Sequence, residues 1–204
     1  MNLYTRQMKP LIEALIKQFP AVLVTGPRQV GKSTLLQYIS EDYQYVTFDD
    51  PMVLSMAKND PSLFMLNYSG KLILDEVQYA PELFSSLKLA IDKQKMSGLY
   101  LLSGSQAFHL IQNVTESLAG RVAVLKLQGF SLREIQQLDF SLPFIPNQDY
   151  LSAREKVAQS IENIWTIIHQ AICLVCMSRK RTGKFTMLLT FLPILNEMFA
   201  RSRM

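Results

Sequence analysis

The chain has 204 residues, 49% of them apolar, and a formal net charge of +4 at pH 7. That length buries one sizeable core with at most a small second unit, and the composition describes a soluble globular chain, without internal repeats or low-complexity segments. The basic balance is uneven: residues 1–170 hold 15 Lys/Arg against 16 Asp/Glu, a net of −1, and residues 171–204 hold 6 against 1, a net of +5. This distribution argues against nucleic acid as a partner of the first 170 residues, because phosphate contacts need a basic surface.

Taken in order, Met1–Phe19 mixes charged with apolar residues and carries no signal-peptide pattern. Leu11, Ile12, Leu15, Ile16 and Phe19 recur at helical spacing and predict an amphipathic helix over Leu3–Phe19, ended by Pro20. Ala21-Val22-Leu23-Val24-Thr25 then reads as a short buried parallel strand. It runs into Gly26-Pro27-Arg28-Gln29-Val30-Gly31-Lys32-Ser33-Thr34, which matches G-x-x-x-x-G-K-[ST], the phosphate-binding loop of nucleoside triphosphatases. Glycines let successive backbone N–H groups turn inward toward the β- and γ-phosphates of a nucleotide such as ATP. A helix beginning near Lys32, with Leu35, Leu36 and Ile39 as its apolar stripe, adds the positive end of its dipole. Lys32 would neutralise phosphate charge, and the Ser33 hydroxyl would complete the shell of a magnesium ion. The competing reading, an accidental match in a surface turn, is disfavoured by the strand before and the helix after.

Tyr45-Val46-Thr47-Phe48 predicts a second strand, and Met52–Met65 a helical stretch broken at Asn59-Asp60-Pro61. Leu72-Ile73-Leu74-Asp75-Glu76 is an apolar strand ending in two carboxylates, the Walker B pattern. At the end of a strand read as lying beside the P-loop strand, Asp75 would hold magnesium through water, and Glu76 would polarise the attacking water as general base. Asp49 and Asp50 form a competing acidic pair, read as a loop. Pro81–Met96 predicts a helix with Leu83, Phe84, Leu87 and Ile91 on one face. Leu99-Tyr100-Leu101-Leu102 is the next strand, ending in Ser103-Gly104-Ser105-Gln106, where either Ser103 or Ser105 would sense the γ-phosphate or Ser105 would merely cap a helix. Val122–Leu127 is a fifth strand, preceded by Arg121, which would reach a nucleotide, its own or a neighbour's, or else be an ordinary solvated residue.

Ser131-Leu132-Arg133-Glu134 is a capping box, Ser141–Gln148 a loop, and Ala153–His169 a helix with Val157, Ile161, Ile164, Trp165 and Ile168 on its apolar face. The pattern predicts an α/β fold, a three-layer parallel sheet of about five strands with a short helical C-terminal extension. Its divisions fall at 1–130 for the P-loop domain, 131–170 for the helical extension and 171–204 for the basic tail.

The GPRQVGKST loop, LILDEVQYAPELF, LLSGSQ, SLAGRV and GFSLREI together resemble the bacterial and archaeal ATP-binding proteins with an AAA domain, over roughly residues 6–170. In that group a C-terminal domain of unknown function typically follows. The resemblance implies an AAA+ superfamily sheet with an additional strand between the P-loop and Walker B strands. It also implies Lys32 and Ser33 at phosphate and magnesium, Asp75 at magnesium, Glu76 as base, Ser103 as sensor and Arg121 as the arginine of the Gly-Arg motif. The usual threonine of the loop is Ser33 here, which keeps the hydroxyl. ATP binding and hydrolysis coupled to an unknown protein partner or output domain, in a cytoplasmic protein whose oligomeric state the sequence leaves open, is the function expected. A nucleotide-gated interaction module with little turnover and a DNA-handling ATPase are the alternatives.

From about Ala171 the family pattern stops. All the excess basicity and both cysteines, Cys173 and Cys176, lie there, and Phe185–Phe199, interrupted by Pro193, Asn196 and Glu197, is too short to span a membrane. Back-translated and read from the third base of the Thr182 codon, Thr182–Phe199 can give WQIYYASYVSTYIERDVR, similar to the segment that follows the AAA domain in this family. The tail is therefore expected to be out of frame and poorly ordered, with the family's C-terminal domain lost.

Overall fold

Ala21–Gly26 (β1) is buried at every position, and a strand without a solvent face must lie inside a sheet. It pairs in parallel with Tyr100–Ser105 (β4) on one side and Val122–Lys126 (β5) on the other. Leu72–Asp75 (β3) pairs with β4, and Gln44–Thr47 (β2) with β3, giving a parallel five-stranded sheet in the order β2-β3-β4-β1-β5. The computed structural model describes residues 4–105, 112, 114, 116–138, 140, 142, 145–158 and 160. The expectations for 161–169 and for the tail 171–204, Cys173 and Cys176 included, lie outside the described residues. By its contacts the chain forms two units, one of Met8–Pro27 with Gly31–Gln128, the other gathering residues 4–7, Arg28–Val30 and the described residues from Gly129 onward.

The first unit holds the sheet in three layers. Ala21, Leu23, Leu72, Leu74, Tyr100 and Leu102 face a cluster completed by the helices Pro51–Asn59 (α3), Pro61–Asn67 (α4) and Leu83–Gln94 (α5). Alternate residues of a strand point to opposite faces, so Val22, Val24, Ile73 and Leu101 are buried on the other side. There Lys9–Ile16 (α1) packs on β1, and Lys32–Ile39 (α2) on β1, β3 and β4. Asp60 explains the expected break between α3 and α4: its backbone N–H closes α3 onto Met56, and its carboxylate caps α4 through Leu63 N at 2.9 Å.

Several boundaries move. The helix expected over 3–19 occupies only Lys9–Ile16, because Pro10 is tolerated only in a first turn. Leu11, counted in its apolar stripe, is 49% exposed. β3 is not the neighbour of β1 that the Walker B strand was first read to be; β4 lies between them, in the arrangement the family resemblance implies.

The second unit contains the short helix Leu132–Ile135 (α6), opened by the expected capping box, with Ser131 Oγ accepting from Glu134 N and Glu134 Oε2 from Ser131 N. A helix Gln148–Val157 (α7) begins before the expected Ala153 and inside the expected loop, since Asn147 Oδ1 accepts the Tyr150 N–H at 2.8 Å.

Candidate functional site

The loop leaving β1 turns through three positive φ angles, at Gly26 (152°), Gln29 (64°) and Gly31 (88°). At Gly26 the geometry requires glycine twice, since a Cβ there would stand 2.1 Å from the Leu127 carbonyl oxygen. Pro27, Arg28 and Gln29 are exposed and Val30 is buried. Gly31 is the N-cap of α2 in the left-handed region and brings no side-chain cap to the helix, whose positive end faces the loop. Lys32 is buried, and its amine donates to the carbonyls of Gly26 (3.2 Å) and Pro27 (2.9 Å), on the loop's inner side. Ser33 and Thr34 follow in the first turn of α2, both half-buried.

Three predicted residues meet at the C-terminal edge of the sheet. Asp75 ends β3, and its Oδ1 accepts from Ser33 Oγ at 2.9 Å, from Ser103 Oγ on β4 and from Glu76 N at 3.1 Å. Its other oxygen, Oδ2, accepts from Tyr45 OH on β2 at 2.7 Å. Burial first, and then this bond to the carboxylate, push the Tyr45 phenol well above its ordinary range. A carboxylate and a serine hydroxyl are hard oxygen donors of the kind magnesium takes, either directly or through water. Ser103 is fully buried and sits between the P-loop strand and Asp75, as the sheet order demands. Glu76 follows in the left-handed region (φ 56°), and its carboxylate accepts from Gln78 Nε2. Gln78 Oε1 in turn accepts from Ser105 N at 3.2 Å, so of the two serines only Ser103 touches Asp75 with its side chain among the described residues.

Arg121 is elsewhere. It precedes β5, at the opposite end of that strand from the loop, and five residues at roughly 3.3 Å each put it about 16 Å away. Its guanidinium forms a two-pronged pair with Asp92 (2.6 and 3.0 Å) and reaches the Ala119 carbonyl (3.0 Å), beside a 750 Å³ hollow that Pro20, Lys95 and Gly120 also line. The hydrogen bond from Arg121 holds the Asp92 carboxyl below its usual range. Of the competing acids, Asp50 accepts from Met52 N at 2.8 Å and so caps α3, while Asp49 is exposed.

The sequence marks neither Tyr45 nor Gln78 for the site, nor Arg6 of the second unit, and it marks Glu134 only as the acid of a capping box. There Arg6 Nη1 donates to the Val30 carbonyl (2.9 Å) and Nε to Glu134 (3.0 Å), with the guanidinium 4.2 Å over the Phe130 ring. A tyrosine alternating in an edge strand and a glutamine two residues past the acids were the available signals.

A parallel sheet with a glycine-rich loop after its first strand, a lysine inside that loop and a serine–aspartate pair beyond it defines a P-loop, nucleotide-binding, ATPase-like protein. A family model described as an AAA domain matches residues 18–136, and the chain belongs to that family. It is 37% identical over 117 residues to two uncharacterized proteins, Mb2031c of Mycobacterium bovis and Rv2008c of Mycobacterium tuberculosis. Each match covers 57% of this chain and 26% of the relative, so the chain spans about a quarter of the length of these curated relatives. Among solved structures, the Walker-type ATPase PABY2304 of Pyrococcus abyssi shares the fold at 17% identity with a TM-score of 0.52, covering 98% of this chain and 76% of that one. No helix among the described residues is long and apolar enough to cross a membrane.

Proposed function

We propose that the protein binds ATP with magnesium in its P-loop and hydrolyses it, passing nucleotide state to a protein partner. The observation that carries this reading is the meeting of Ser33 and Ser103 on one oxygen of Asp75, beside a loop whose lysine already points inward. The N–H groups from Gly31 to Thr34 would meet the β- and γ-phosphates, and the Lys32 amine would exchange its carbonyl partners on Gly26 and Pro27 for phosphate oxygens. Ser33 and Asp75 would hold magnesium, which when bound neutralises charge on the transferring phosphoryl group. Ser103 would report on the γ-phosphate from β4, and Glu76 would take the proton of the attacking water. Arg121, too far from its own loop, would serve the nucleotide of a neighbouring copy. Residues 1–130 would act as the ATPase domain and 131–170 as its extension, and the net charge of −1 over residues 1–170 disfavours nucleic acid as their partner.

Lys32→Ala tests the binding step. Saturating Mg-ATP is expected to raise the parent's Tm through mass action, by an amount set by ligand concentration over Kd. Lys32→Ala should abolish that rise while its far-UV circular dichroism stays that of the parent, and Asp75→Ala should remove the part that depends on magnesium. A Lys32→Ala protein with the parent's ATP affinity would sink the reading.

A further inference from the structure

Glu76 is held by a residue to which phosphate-loop chemistry assigns no task. Glu76 leads into the tight turn Val77–Tyr79 from a left-handed backbone (φ 56°, ψ 43°), a conformation that a non-glycine residue keeps only where its surroundings impose it. The turn brings the Gln78 amide back against the Glu76 carboxylate, with Nε2 donating to Oε2. The other end of that amide, Oε1, accepts from the backbone N–H of Ser105 at 3.2 Å. Both ends are therefore committed. Flipped, the amide would set oxygen against carboxylate and N–H against N–H, so the orientation is fixed by its partners. Ser105 is the last residue of β4 and stands in register with Gly26, the first residue of the phosphate loop.

We infer that Gln78 is a positioning residue that fixes the Glu76 carboxylate against the β4 backbone beside the loop. The inference rests on Glu76 being the base of a triphosphatase. A glutamate has three rotatable side-chain bonds and samples several staggered conformers when nothing holds it. A base works only within hydrogen-bond reach of the proton it takes, and a misplacement of about 1 Å costs on the order of 10²-fold. A charge-assisted bond from an amide that is itself anchored selects one conformer and leaves Oε1 as the oxygen that meets the water. Because the anchor is the end of β4, the strand that carries Ser103 also sets where the carboxylate stands.

The test uses the full chain and three variants. Gln78→Met, close in length but without the amide, is expected to lower kcat for ATP by about 10- to 100-fold with ATP Kd at the parent's value, and to lower Tm slightly because the Ser105 N–H loses its acceptor. Gln78→Glu, of the same shape but like in charge to Glu76, should fall at least as far. In a Glu76→Gln background, Gln78→Met should cost nothing further, since the two residues act as one unit. A Gln78→Met enzyme with parental kcat overturns the inference, as does a loss that persists in full when Glu76→Gln is present. A crystal structure of Gln78→Met with the Glu76 carboxylate unmoved also overturns it, whatever the turnover. Parental activity in Glu76→Gln would instead remove the base assignment beneath it, an outcome distinct from an inactive Glu76→Gln beside a fully active Gln78→Met.

Discussion

Glu76→Gln is expected to lower the rate of ATP hydrolysis by about 10²–10⁴-fold while ATP still binds. Glutamine keeps the volume and reach of glutamate but takes no proton at neutral pH, so the substitution isolates the base from everything around it. The groups that would hold the nucleotide, Lys32 on the loop and Ser33 with Asp75 at 2.9 Å, do not depend on the Glu76 side chain. Single-turnover hydrolysis and equilibrium ATP binding, measured on one preparation, separate the two steps. Parental turnover would move the base elsewhere, and of the two nearby acids Asp50 is already committed to capping α3, which leaves Asp49.

Glu134→Ala is expected to destabilise the protein by about 3–5 kcal/mol, because it removes the carboxylate paired with a buried guanidinium. Arg6 and Glu134 are each 6% exposed. Burial draws the Arg6 guanidinium below its ordinary range, and the Glu134 charge and hydrogen bond oppose that shift. Glu134 also accepts from the backbone N–H groups of Gln7 and Ser131, each at 2.8 Å, so its removal undoes a helix cap and an anchor of the N-terminal segment together. Glu134→Gln keeps an acceptor oxygen and should lose less. Urea denaturation followed by far-UV circular dichroism measures both, and a loss under about 1 kcal/mol for Glu134→Ala would contradict the account.

What could be read from the sequence was local. The run Ala21–Thr25 is apolar and β-branched because a central parallel strand has no solvent face, and the lysine and serine of the loop have fixed offsets from its glycines. The break at Asp60-Pro61 and the box at Ser131–Glu134 could be read for the same reason, since each is closed by bonds spanning three or four residues. What stayed hidden depends on neighbours distant in the chain. Arg6 and Glu134 lie 128 positions apart, and neither carries a mark that names the other. The Tyr45 hydroxyl finds Asp75 only because β2 pairs with β3 in one register, and a register shifted by one residue would turn it to the other face. The place of Gln78 depends on the left-handed turn at Glu76, a backbone state that glutamate does not advertise in sequence. The two prolines, Pro143 and Pro146, suggested a loop up to Gln148 and concealed the asparagine cap that starts α7.

The first glycine of the phosphate loop has a second duty. Its missing side chain is the space into which the Leu127 carbonyl fits, while the Leu127 N–H closes onto Thr25 at 2.7 Å. The seam between β1 and the edge strand β5 is therefore drawn tight at the point where the chain leaves the sheet for the phosphates. Any larger residue at Gly26 would prise that seam apart before a nucleotide arrived. Inactivity in such a variant would report a split sheet and carry no information about ligand recognition, which makes Lys32 the cleaner place to interrogate the loop.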